Sequence, residues 1–239
     1  DRSVSRGLGD VYKRQEYSNK GCRVENQDYI SHGSLPDDGY VCILTDGMGG
    51  YSAGDEAAKT VAESIRAYIQ NNYTQTNIPN IINEAITYSN DELMLKRLSI
   101  GAQRMGCVLA LLVVTKEYAY IDWLGDSRVY MFRNGKEVYR TEDHSMINEM
   151  ARSNTITADN IRKYSSVVTR SIMGEDNLKL ESIVKIKIKP NDVFILCSDG
   201  VHRQLNIEKL IGYTDGLKED YDIKSSDMSD NYSFIKLVI

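Results

Sequence analysis

"YVCILTDGMGGYSAGDEAA", residues 40–58, is apolar from Tyr40 to Leu44, halts at Asp46 between Thr45 and Gly47, and turns small and acidic from Ser52 onward. The opening run reads as a buried strand and the closing one as the start of a helix. Two readings compete for Asp46-Gly47-Met48-Gly49-Gly50 between them. It is a tight loop with its usual residues, where Asn or Ser would serve as well as Asp. Or it holds a carboxylate at a strand end beside an exposed backbone carbonyl, ready for a hard cation. One occurrence does not choose between them.

Beyond the loop, Ser52 and Asp55 resemble a capping box. Ala57, Ala58, Val61, Ala62, Ile65, Tyr68 and Ile69 then form one apolar stripe, the signature of an amphipathic helix. A second helix is predicted near Pro79, a residue suited to the first helical position, with Ile81, Ile82, Ala85, Ile86 and Leu93 on one side. Strands follow. Val108–Val114 and Tyr118–Leu124 are joined by three residues, and Arg128–Phe132 and Glu137–Arg140 flank Asn134-Gly135, a strong hairpin signal. Residues 146–164 read as helix, loop, helix. Val184–Ile188 and Val193–Cys197 read as strands around the Lys189-Pro190-Asn191-Asp192 turn, and Ser233–Ile239 as a closing strand. Two helices set among hairpin-joined strands predict an α+β sandwich with antiparallel sheets covered by helices.

Composition narrows the function. The 239 residues, 41% of them hydrophobic, are enough for one domain with a sizeable core. A net charge of −5 offers no broad basic surface to nucleic acid. The longest apolar run, Cys107–Val114, is too short to span a bilayer, and no export signal is evident, so the expectation is a cytoplasmic protein. Cys22, Cys42, Cys107 and Cys197 lie far apart and read as buried free thiols. His32, His144 and His202 lack the spacing of zinc ligands. The first fifteen residues, DRSVSRGLGDVYKRQ, show neither period and resemble the translation of a sequencing adaptor. Residues 1–15 are therefore set aside as a non-native or disordered leader, and 16–239 are read as a single domain.

The pattern at Asp46 recurs. Asp122-Trp123-Leu124-Gly125 leads to Asp126-Ser127-Arg128, and Phe194-Ile195-Leu196-Cys197-Ser198 leads to Asp199-Gly200. Asp230-Asn231 precedes the last strand, and Asn26-Gln27-Asp28 precedes Tyr29-Ile30. If these strand ends converge, the carboxylates repel one another and require protons or cations. An oxygen-only set selects Mg²⁺ or Mn²⁺ over Zn²⁺, and such ions activate water as a nucleophile at neutral pH. Arg23, close to the first acidic group, has a planar fork suited to a phosphate dianion. Together these parts describe phosphomonoester hydrolysis.

The series Arg23-x-x-Asn26-Gln27-Asp28, Asp46-Gly47-Met48-Gly49-Gly50, Gly125-Asp126-Ser127-Arg128, Asp143-His144-Ser145, Ser198-Asp199-Gly200 and Asp230-Asn231 resembles the metal-dependent protein phosphatases, the PPM or type-2C family, in their small bacterial form. The resemblance runs from about Ser18 to the end. It implies a four-layer αββα sandwich with a dimetal site at one edge and Mn²⁺ or Mg²⁺ as cofactor, two ions with a third held more weakly. By the same resemblance Asp46 bridges both metals and the Gly47 carbonyl holds the second. Asp199 and Asp230 complete the first metal's shell. Asp28 acts through coordinated water, Arg23 clamps the phosphate, and Asp126 with Asp199 holds the third ion. Residues 142–166 match the flap that borders the active site in bacterial members.

Three features depart from the family pattern. Met48 stands where many eukaryotic members carry a His, Cys107 where a Thr is usual, and 213–229 is short and polar. The function implied is a Ser/Thr protein phosphatase, a monomer acting on phosphoproteins that include a Ser/Thr protein kinase. Two other readings remain: a catalytically silent phosphopeptide-binding or regulatory module of the same fold, and a metal-dependent nuclease, which the acidic surface disfavours.

Overall fold

The computed structural model describes residues 12–48, 53–176, 178–180, 182–213 and 227–239. Ten strands form two antiparallel five-stranded sheets. One sheet contains β2 (Asp28–Leu35), β3 (Gly39–Gly47), β4 (Cys107–Val114), β5 (Tyr118–Leu124) and β8 (Val184–Lys187), in that order. The other runs β1 (Lys13–Asn19), β10 (Tyr232–Val238), β9 (Val193–Cys197), β6 (Arg128–Arg133), β7 (Lys136–Arg140). Helices α1 (Gly54–Asn72) and α2 (Ile78–Ile100) cover the first sheet, and α5 (Asp199–Gln204) and α6 (Ile207–Ile211) pack on the second. Short helices α3 (Met146–Arg152) and α4 (Ala158–Tyr164) follow β7. The order of layers is αββα, as expected.

The apolar runs follow from this layering. A strand buried on both faces has no polar face to alternate with. In β3, Val41 and Ile43 pack toward the helices, while Cys42 and Leu44 pack between the sheets. β4 behaves alike, with Leu109, Leu111 and Val113 on the helix side and Ala110, Leu112 and Val114 facing Val129, Met131, Phe194, Leu196, Ile235 and Leu237 of the opposite sheet. The period-two rule then puts Asp46 on the face of Cys42 and Leu44, where the sandwich ends.

Four local expectations change. The cap of α1 is Ala53, in the left-handed region at φ 77° with no side-chain hydrogen bond; Ser52 lies outside the described residues. β8 and β9 are not a hairpin, because the 189–192 turn carries the chain from one sheet to the other. β1 opens at Lys13, inside the segment set aside as leader, with Lys13, Arg14 and Gln15 opposite Val238, Leu237 and Lys236. An edge strand pairs through main-chain groups, so side-chain periodicity gave no notice of it. Among the described residues no disulfide joins the four cysteines, but Cys22 is exposed while the other three are buried.

Asp122 of β5 is a polar group inside this core, 1% exposed. Its Oδ1 accepts from the Trp123 backbone N–H at 2.8 Å, and its Oδ2 is buried without a partner. Burial pushes its pKa up to about 7 against the pull of that hydrogen bond. Since the folded value is raised, the folded state holds more protons than the unfolded chain between about pH 4 and 7. The stability tied to Asp122 is therefore complete at low pH and lost as pH rises through that window. Asp122→Asn should unfold at higher urea than wild type at pH 8, by about 1–2 kcal/mol, and match it near pH 4. Parallel pH slopes for the two proteins would remove Asp122 as the cause.

Candidate active site

Two sheets deliver carboxylates to one end of the sandwich. Asp28 opens β2 and Asp46 nears the end of β3, and the two are direct partners across the ladder. Asp199 follows β9, Asp230 precedes β10, and Asp126 lies between β5 and β6. Asp46, Asp126, Asp199 and Asp230 line one cavity of about 720 Å³, together with Arg23, Gly47, Met48, Val167, Val168 and Arg203. Asp28 sits behind them, where its Oδ2 accepts from Ser198 Oγ at 2.8 Å and its Oδ1 is buried with no partner. All seven site residues expected from the sequence meet here.

Gly47 and Gly200, which follow Asp46 and Asp199 in the site, are not turn glycines, because neither has a positive φ. A Cβ on Gly47 would lie 2.2 Å from the Gly54 carbonyl oxygen, and one on Gly200 2.1 Å from that of Asn231. Each glycine lets a second backbone come up against the strand end that carries the carboxylate. Asp-Gly recurs because the acidic group and the close approach are needed at adjacent positions.

Charge at this edge is poorly compensated. Burial first, then the fields of Asp28, Asp199, Asp126 and Asp230, push the Asp46 carboxyl well above the usual range. Burial likewise lifts Asp28 to about 7, against hydrogen bonds from Ser233 and Ser198. Asp126 is raised to about 6 by burial and Asp199, with Arg203 opposing, and Asp199 is raised by burial. Five carboxylates face two guanidinium groups. Arg23 Nη2 donates to Asp230 Oδ2 at 2.8 Å, and Arg203 reaches both Asp126 and Asp199. As the side chains stand, no group of three or more His, Cys, Asp or Glu is gathered to hold a metal ion among the described residues. The chemistry of the donors nevertheless fits hard cations. Asp46 is buried among like charges, an Asp28 oxygen is orphaned, and the set is oxygen-only. The Asp126–Asp199 pair does not fit a further ion in the same way, since a guanidinium already bridges it.

Asn231 earns its place in the pattern by positioning. Its Oδ1 accepts from Gln27 N–H at 2.9 Å, and its Nδ2 donates to the carbonyls of Lys20 and Glu25 at 2.9 and 2.8 Å. One side chain thus staples the loop that carries Arg23 to the start of β10. The Gly-Asp-Ser-Arg and Asp-His-Ser stretches are two halves of a clasp. Arg128 holds Asp143 through Nε at 2.6 Å and Nη2 at 2.8 Å. His144 accepts from Gly125 N–H at its Nδ1 (3.2 Å), and its own N–H donates to the Gly125 carbonyl (2.8 Å). Trp123 stacks on His144 at 5.4 Å and donates its indole N–H to Glu142 O at 2.8 Å. His144 thus holds the base of the 142–166 segment, and residues 166–168 at its end line the cavity. Of the departures, Met48 lines the cavity and Cys107 directs its thiol to the Ala57 carbonyl at 3.9 Å. Most of 213–229 lies outside the described residues.

Sequence reading missed Ser198 as the partner of Asp28, and it set Arg203 aside, with His202, as the start of a helix near the site. Arg203 was detectable in principle: it lies four residues after Asp199 where a helix begins, on the same face.

The family pattern of protein phosphatase 2C matches residues 23–236. The serine/threonine phosphatase stp of Listeria monocytogenes is 25% identical over 222 residues, spanning 84% of this chain and 83% of that protein. The crystal structure of Stp1 from Staphylococcus aureus superposes with a TM-score of 0.81 at 21% identity, over 100% of this chain and 99% of that one. A catalytic domain of the serine/threonine phosphatase PstP, solved with two manganese ions, gives 0.74 at 19% identity, over 95% and 97% of the two chains. These likenesses establish the shared fold, and the match over residues 23–236 establishes more: the chain belongs to the protein phosphatase 2C family.

Proposed function

We propose that this phosphatase hydrolyses phosphoserine and phosphothreonine in proteins, using two divalent cations, Mn²⁺ or Mg²⁺. The observation that carries the reading is the buried Asp46 carboxylate, set opposite Asp28 across one sheet and facing Asp199 and Asp230 from the other. Nothing in folding favours such a cluster without cations to balance it. Asp46, the Gly47 carbonyl, Asp199 and Asp230 would hold the two ions. When bound, the ions supply Lewis acidity that makes water a nucleophile at neutral pH and screens the phosphate's charge.

The chain's own groups do the rest. Arg23 stands at the mouth, half-exposed, and offers its planar fork to the phosphate. Asp28 keeps its Oδ1 unpartnered behind the cavity carboxylates, where it would act on the cations through water, while Ser198 holds its other oxygen. Met48, Val108, Val167 and Val168 give the cavity an apolar wall beside its carboxylates. Substrates are phosphoproteins, a Ser/Thr protein kinase among them, and the active species is the monomer.

Purified protein should release phosphate from a phosphothreonine peptide in manganese or magnesium and stop in excess chelator. Equal rates with and without chelator would exclude the two-cation mechanism. Metal and peptide binding with no phosphate release would favour a silent binding module.

A further inference from the structure

Arg203 occupies a position that the function above leaves unexplained. Its Nη2 donates to Asp126 Oδ2 at 2.9 Å and its Nη1 to Asp199 Oδ2 at 3.0 Å. One guanidinium therefore spans two carboxylates that come from different elements, the β5–β6 connection and the first residue of α5. Two features of α5 fix it there. Arg203 lies four residues after Asp199 in α5, so the helix itself brings the pair together. The preceding residue, His202, donates its Nε2–H to the backbone carbonyl of Asp126 at 2.9 Å. Consecutive side chains of one turn thus grip the carbonyl and the carboxylate of the same residue.

Asp126 and Asp199 are the two residues to which the family resemblance assigns a third, weaker ion. We infer that in this chain Arg203 is the built-in counter-ion of that pair, that it fills the third cation position, and that the protein takes two divalent ions and no third. The reasoning is from charge and valence. A guanidinium bonded to one oxygen of each carboxylate neutralises one of their two charges and occupies the span between them. A divalent ion between the same groups would have to displace a cation tethered beside it and then lie against its positive charge. The tethered cation needs no recruitment from solution. Asp126 becomes a positioning residue for Arg203, and Asp199 is shared between Arg203 and the two-ion site.

This inference rests on the two-cation reading, and the test separates the two. Manganese is titrated by calorimetry into wild type, Asp126→Asn, Arg203→Met and the double variant. Wild type and Asp126→Asn should each take two ions, Arg203→Met three, and the double variant two. A third ion in wild type that Asp126→Asn removes would overturn the inference, as would an Arg203→Met protein that takes no further ion at millimolar manganese. Melting of the metal-free proteins supplies a readout that does not depend on ions. Arg203→Met removes the guanidinium that Asp126 and Asp199 share, so its melting temperature should fall by roughly 2–4 °C, and the added Asp126→Asn should restore it. Independent, additive shifts would sink the counter-ion role. A wild type that takes no manganese defeats the two-cation mechanism, and the melting cycle then still decides whether Arg203 balances the pair.

Discussion

In Asp46→Asn, manganese binding and phosphate release should fail together, with turnover on a phosphothreonine peptide down by at least roughly 10³-fold. The side chain keeps its shape, and the backbone of residue 46 is held in register by Asp28 on one side and Val108 on the other. The strand end therefore stays where it is, and the change is one of charge. Asp46 is the carboxylate on which every neighbouring acidic field converges, so its loss removes the charge that both cations would share. The same reasoning predicts an effect of opposite sign on stability. Metal-free wild type carries the cost of a buried carboxyl among four others, which the amide does not repel. Metal-free Asp46→Asn should melt above metal-free wild type, while wild type alone gains further on adding manganese. A variant that binds manganese as wild type does and still turns over would dismiss Asp46 as the bridging ligand.

What could be read from residues alone follows the physics of each signal. The strands β3 to β6 and β9 were legible because burial on both faces makes them near-continuous apolar runs, each bounded by a polar turn. Asn134-Gly135 was legible because both residues take positive φ, 52° and 73°, which that dipeptide favours. β1 was not, since an edge strand is specified by its partner's main chain. The site carboxylates could be found because each is tied to a strand end by sequence. Their supporters could not, because Ser198 reaching Asp28 and Asn231 gripping Lys20 and Glu25 are contacts made across long separations. The Asp-Gly pairs were found for an incomplete reason. Their glycines report a backbone approaching from elsewhere, which no local pattern encodes.

Arg23→Ala should cost about 1.5–3 kcal/mol in kcat/KM on a phosphopeptide, the loss of a hydrogen bond to a charged group, or roughly 10- to 150-fold. The residue's setting decides how that loss divides. Its loop is fixed from behind by Asn231 and by Gly21, whose φ of 59° and close approach to the Asp230 carbonyl leave no room for a side chain. The guanidinium itself is half-exposed and, among the described residues, bonds to Asp230, the carboxylate proposed as a ligand of the first ion. If Asp230 holds a cation, that ion would compete with Arg23 for the same oxygen, leaving the fork available to phosphate. Removing Arg23 therefore leaves Asp230 freer for metal, and manganese affinity should hold or rise slightly while phosphate recognition weakens. Arg23→Lys keeps the charge without the two-pronged geometry and should recover part of the loss. If the arginine binds phosphate equally in the ground and transition states, the deficit falls on KM; if it tightens as charge moves to the leaving oxygen, it falls on kcat. Normal kinetics in Arg23→Ala would remove Arg23 from substrate binding, whereas a matched fall in manganese affinity would make it a support for Asp230 instead.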